Sequence, residues 1–323
     1  MPTPSRQGQS ATAENRRPES EWAARTVKPP RSVFGNYSLS EPPAPATTTS
    51  AAHRPAGAPG EFSLQSAIDA AMARAAIYRF LAQAYEDPTE HGWARLVEVD
   101  APQLLAPAIR TLEASSPTLA ESAAALQSQL RPAAFDEFLT AYLAAFGHAA
   151  RGRCPLNEIE YGDLKADPLF QPHRLADLAA FYRAFGLEVA ADADERQDHI
   201  CLELEFMCVL AAKGAFALEH QLEPEELSLC RDAQKRFLRE HLGRWAPAFA
   251  RRLARMAGET PLEALAKLLR CFVETECARV GVSPGSEDLL LRPVDEAAES
   301  MCDACGVAQP LPGAPGPTAV AAG

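Results

Sequence analysis

The run Ile200-Cys201-Leu202-Glu203-Leu204-Glu205-Phe206-Met207-Cys208-Val209-Leu210-Ala211-Ala212 constrains this chain more than any other stretch. It predicts a helix that is apolar nearly all round, and such a helix lies inside a core rather than on its surface. Further helices must then surround it. Glu203 and Glu205 interrupt the run and need partners if buried. His199 precedes Glu203 by one turn on the same face, so a self-satisfying His199–Glu203 pair is expected. Asp198 stands at the helix start, where a carboxylate favours the helix dipole and polar groups stay presentable. Asp194 with Gln197, or Asp192 with Glu195, offers a capping box ahead of it. A pair so placed should cost the fold only about 1 kcal/mol when removed.

Helical spacing recurs along the chain, and no segment makes a convincing strand. Apolar residues from Leu64 to Leu81 place a helix over Ser63 to Glu86, ended by Asp87-Pro88. Shorter helices are expected over Trp93 to Glu98 and Leu104 to Glu113. Pro117 to Leu130 and Pro132 to Phe146 each carry Pro near the start, where its missing N–H costs nothing. Leu175 to Phe185 stops at Gly186. Pro224 to Leu242, Arg244 to Ala257 and Pro261 to Val280 follow, the last opened by a capping box of Thr260 and Glu263. The fold class is therefore all-α, a single helical-bundle domain of about nine or ten helices. The one long loop, Gly147 to Pro172, is a candidate for function.

Composition sets the domain limits. Residues 1–60 are rich in Pro, Ala, Ser and Thr and bury too little apolar surface to fold, so a disordered tail is expected there. Residues 61–292 form the helical domain. Residues 293–323 are expected to be a short segment bearing Cys302-Asp303-Ala304-Cys305 and then a flexible Pro-rich end. The chain has 31 basic and 43 acidic residues, net −12, while its first 60 residues carry +3, which leaves −15 on the remainder. An acidic body repels nucleic-acid phosphates and anionic membranes and suits a basic peptide. The uncharged run Phe138 to Ala150 has 13 residues, too short for a bilayer. Arg16-Arg17 is not followed by an apolar stretch, so it makes no export signal, and a cytoplasmic location is expected.

Motifs for catalysis are missing. The sequence has no phosphate-binding Gly-rich loop and no HExxH. No His follows a Glu by three residues, so the di-iron signature of helical bundles is absent. A binding protein is the better class, with no catalytic residue and no cofactor of its own. Five cysteines, Cys201, Cys208, Cys230, Cys271 and Cys277, fit core positions. Cys302 and Cys305 are weak metal candidates, with Cys154 as a third ligand in a metal-binding alternative. A nucleotide hydrolase is the other alternative, without a phosphate loop to support it.

Three segments together resemble the TorD/DmsD-type chaperones, relatives of the NarJ group, over about Leu64 to Val280. They are Cys154-Pro155-Leu156-Asn157-Glu158-Ile159-Glu160-Tyr161, then Ala176-Asp177-Leu178-Ala179-Ala180-Phe181-Tyr182-Arg183-Ala184-Phe185-Gly186, then Glu195-Arg196-Gln197-Asp198-His199 leading into Leu202 to Met207. The family pattern at the third is Glu-Pro-x-Asp-His, and Arg196 stands where Pro is usual. The resemblance implies an all-helical cytoplasmic chaperone for the catalytic subunit of a molybdenum enzyme of the dimethyl sulfoxide reductase superfamily. Such a protein binds that subunit, often through its twin-arginine signal peptide, until the molybdopterin cofactor is inserted, and blocks premature export. The cofactor belongs to the client. By similarity Asp198 and His199 lie in the client-binding region, as does the loop with Pro155, Glu158 and Tyr161. Charge adds Glu160 and Asp163, and the expected pairing with His199 adds Glu203.

Overall fold

The computed structural model describes residues 59–147, 152–162, 170–190, 193 and 195–293. The long regular elements of these segments are helices. In order come α1 (Pro59–Ala84), α2 (Glu90–Arg95), a π-helical stretch (Leu96–Leu105), α3 (Ala106–Leu112), α4 (Pro117–Gln129), α5 (Phe135–Phe146), α6 (Phe170–Ala184), α7 (Ile200–Glu219), α8 (Pro224–Glu240), α9 (Leu242–Ala257) and α10 (Pro261–Val280). Isolated bridges pair Asn157 with His199 and Tyr161 with Leu291. The expected tails, residues 1–58 and 294–323 with Cys302 and Cys305, lie outside the described residues, as do Asp192 and Asp194. No helix among the described residues is long and apolar enough to cross a membrane.

α7 is the central helix that its composition demands. Every residue from Ile200 to Ala211 is buried. It packs chiefly on α1, while α10 packs on α9 and α4. Ile77, Tyr78, Phe80 and Leu81 of α1, and Tyr85 just past its end, are all fully buried. An aromatic layer of Trp245, Phe249 and Tyr161 seals the floor of the loop that precedes α6, with Trp245 and Tyr161 ring centres 5.1 Å apart.

Three departures from the sequence expectation have physical causes. The helices expected at Trp93 and Leu104 are one helical run, widened to π geometry around Pro102, which has no N–H for an α ladder. α6 starts at Phe170 rather than Leu175, because Pro172 fits a first turn. α9 starts at Leu242 rather than Arg244 and carries Pro247 inside it. That proline cannot donate to Gly243 O, and the Gly285 N–H donates there instead at 2.8 Å. A side chain on Gly285 would meet the Arg244 carbonyl, so glycine is required. The segment after α10 is thereby pinned to α9. α10 itself runs from Pro261 to Val280 as expected and ends at Gly281 in the left-handed conformation. Its predicted capping box does not form: the Thr260 hydroxyl donates to Ala257 O.

Candidate functional site

The loop Gly152–Gly162 and the start of α7, distant in sequence, are joined by backbone hydrogen bonds. The Glu158 N–H donates to Asp198 O and the Ile200 N–H to Leu156 O, both at 2.9 Å. On the loop's far side, the Gly162 N–H donates to Leu290 O and the Arg292 N–H to Glu160 O. The loop is thus a short central ribbon between the α7 start and the segment after α10.

The Asp198 carboxylate fixes the first of these junctions. It is fully buried and accepts from the Ile159 N–H at 3.1 Å and from Asn157 Nδ2 at 3.2 Å. Arg196 adds a bidentate pair, Nε and a terminal nitrogen each 3.0 Å from a carboxylate oxygen. The same guanidinium reaches Glu160 at 3.6 Å. Asp198 is therefore a loop clamp and not an exposed dipole partner, so the expected modest cost of its removal is corrected. His199 is the N-cap of α7: its Nδ1 accepts from the Cys201 N–H at 3.3 Å. A neutral ring is needed for that, and burial lowers its pKa to about 4. The expected capping residues Asp192 and Asp194 lie outside the described residues, and the cap seen on α7 is His199.

Two fully buried carboxylates sit behind the clamp. Glu158 accepts from His241 Nδ1 at 2.9 Å and from Arg244 at 3.0 and 3.3 Å, with Arg174 Nε 3.7 Å away. Burial alone pushes its carboxyl up. The hydrogen bond from His241 and the charges around it outweigh burial and hold it below the ordinary range. His241 is itself buried and spans to Asp177 at 3.2 Å through Nε2. Glu203 does not pair with His199, which corrects the expected contact. Its carboxylate oxygens instead accept from Trp245 Nε1 at 3.1 and 3.2 Å. Burial, reinforced by nearby Glu158, drives this carboxyl well above the ordinary range and favours its protonated form.

Of the residues singled out for client binding, Pro155, Glu158, Tyr161, Asp198 and Glu203 are buried, while Glu160 and His199 are partly exposed. Asp163 lies outside the described residues. Tyr161 donates its hydroxyl proton to Pro155 O at 2.8 Å and has no free surface. Cys154 is also fully buried, and burial pushes its thiol up to about 12, which does not suit the metal ligand considered for it. Among the described residues no group of three or more His, Cys, Asp or Glu is arranged to hold a metal. No motif or spacing points to the roles of Arg174, His241, Arg244 and Trp245. They come from α6, the α8–α9 junction and the first turn of α9, and only the fold brings them to the loop.

Beside the α7 start lies an acidic edge. Glu86 and Asp87, exposed just past the end of α1, stand with exposed Glu195 and buried Glu205. Partial loss of water raises the Glu86 carboxyl to about 7, and the charges of Glu205 and Glu195 add to it. Asp87 accepts from the Tyr142 hydroxyl at 3.2 Å and acts electrostatically on His199.

The family described as nitrate reductase delta subunit matches residues 112–251. The perchlorate reductase assembly chaperone protein of Dechloromonas aromatica is 30% identical over 186 residues, 56% of this chain and 77% of that protein. The selenate reductase assembly chaperone protein of Thauera selenatis is 30% identical over 192 residues, 59% of this chain and 81% of that protein. Chaperone protein TorD of Vibrio cholerae is 33% identical over 93 residues, 29% of this chain and 40% of that protein.

Proposed function

Since this chain belongs to the TorD/NarJ-type family of reductase assembly chaperones, we propose that it holds the apo catalytic subunit of a molybdenum-containing oxidoreductase of the dimethyl sulfoxide reductase superfamily during maturation. It is a maturation chaperone and not a catalyst. The observation that carries the reading is similarity across 77% and 81% of two reductase assembly chaperones, whose names state that task. In this reading the protein works in the cytoplasm and carries no cofactor. It keeps its client open until the molybdopterin cofactor is inserted and delays export by covering the client's twin-arginine signal peptide.

Partly exposed Glu160 and His199, with the acidic edge of Glu86, Asp87 and Glu195, form the proposed contact surface. Asp163 belongs to it by charge. Crowded carboxylates, one already raised to about 7, gain by meeting a cation, and paired arginines supply two. Buried Pro155, Glu158, Tyr161, Asp198 and Glu203 act behind that surface by fixing the loop's shape.

Calorimetry with the client's signal peptide and an Arg-to-Gln version of it tests this reading. We expect the native peptide to bind more tightly, and binding to weaken from low to physiological salt, since exposed charges are screened beyond about 8–10 Å. Glu86→Gln with Asp87→Asn and Glu195→Gln should weaken binding while leaving the melting temperature nearly unchanged. No binding to the peptide or to the whole apo-subunit would remove the chaperone–client assignment.

A further inference from the structure

The face formed by α9, α10 and the segment after α10 has the opposite sign from the acidic edge. Two adjoining cavities, about 270 and 290 Å³, share Arg251, Arg255 and Glu287 and make one open trough along α9. Its walls include Ala250, Ala254 and Met256. At one end the protein already lays acidic residues of its own on arginines. Glu287 pairs with Arg270 at 2.9 Å and lies 3.5 Å from Arg251, and Asp288 pairs with Arg251 at 2.5 Å. The continuation of the trough holds Arg153, Arg252 and Arg255. None of these three has a carboxylate partner among the described residues, in a chain with 43 acidic residues to 31 basic ones.

We propose that this trough binds an extended acidic segment of a partner protein, with its carboxylates paired to Arg153, Arg252 and Arg255. Guanidinium groups pair readily with carboxylates, and the Glu287–Asp288 segment shows carboxylates laid on arginines within the chain itself, through single contacts. A nucleotide fits less well. The trough is open, and no aromatic side chain lines it for a base to stack on. The net charge of −12 opposes nucleic acid. The inference goes beyond client maturation, because it concerns a cationic face and an anionic ligand.

Fluorescence anisotropy with a labelled oligoglutamate peptide and the full chain tests it, with an oligolysine peptide as control. We expect the glutamate peptide to bind at low salt and to lose about tenfold in affinity at physiological salt. Arg252→Glu with Arg255→Glu should cost about tenfold more while the thermal melt stays in place, since neither side chain makes an ion pair among the described residues. Failure to bind at low salt, or equal binding by the double variant, overturns the proposal. So does binding that appears only after Asp295, Glu296, Glu299 and Asp303 are neutralised to Asn or Gln, because the trough would then serve the chain's own acidic residues.

Discussion

Glu158 and Glu203 are both fully buried, and the fold shifts their carboxyl pKa values in opposite directions. Glu158 is surrounded by His241, Arg244 and Arg174 and is held ionised. Glu203 meets one neutral donor, the Trp245 indole, and its carboxyl is driven up toward the protonated form. Burial acts alike on both and favours the neutral form. The outcome is decided by how many cations the fold brings near, and Glu158 itself is one of the charges that keeps Glu203 neutral. A buried carboxylate in sequence is therefore no guide to its charge. The neighbours decide, and for these two residues they come from α6, the α8–α9 junction and α9.

The contrast predicts its largest effect at Glu158. Glu158→Ala would leave His241 and the inner faces of Arg174 and Arg244 without their shared anion. Breaking a buried ion pair from one side costs about 3–5 kcal/mol. Urea denaturation should show a loss of that size at pH 7. Below pH 4.5 the loss should shrink: the wild-type pKa is lowered in the fold, so its contribution exists above the unfolded value and fades as pH falls through the folded one. A loss under about 1 kcal/mol at pH 7 would mean that the cations around Glu158 are served by water.

Asp198 comes next. Asp198→Ala removes the acceptor for the Ile159 N–H and the partner of Arg196, and stranded buried donors cost about 1–3 kcal/mol. Because the loop and α7 remain joined through the Glu158 N–H and Asp198 O, we expect a destabilised but folded protein. Amide exchange should rise first in residues 156–161. Protection there equal to wild type would mean that the backbone bonds alone hold the loop.

Much of this architecture was legible beforehand. Proline at the starts of α4, α8 and α10, the all-round apolar α7 and Gly281 after α10 are local signals, and each marks its element within a residue or two. The association of the 154–161 loop with Asp198 and His199 came from resemblance, and the bridge between Asn157 and His199 gives it a physical form. The ion network was not legible. His199 to Glu203 is a helical spacing, so sequence alone pairs them, but the N-cap turns the His199 ring toward the Cys201 N–H and Glu203 toward Trp245. Likewise, Arg196 replaces a proline that would give rigidity, and supplies an ion pair to Asp198 instead.

The smallest effect is expected at Glu203, and it bears most directly on the contrast. Glu203→Gln replaces a protonated acid by an amide of the same shape whose oxygen still accepts from Trp245, so at pH 5 the change in stability should stay under about 1 kcal/mol. Its pH dependence should differ in sign from that of Glu158. The folded pKa of Glu203 is raised, so the favourable balance is complete below the unfolded value near 4.5 and is lost as pH climbs toward the folded one. Over that interval the unfolded chain gives up its proton while the native protein keeps it. Wild type should therefore fall in stability relative to Glu203→Gln between pH 5 and pH 8, and the variant should become the more stable of the two. Glu158→Gln, with the same change of atoms, should remain destabilised across that range because it discharges an anion that its cations require. Parallel pH profiles for the two glutamine variants would show that both carboxylates carry the same charge, and would remove the division between an ionised and a neutral buried acid.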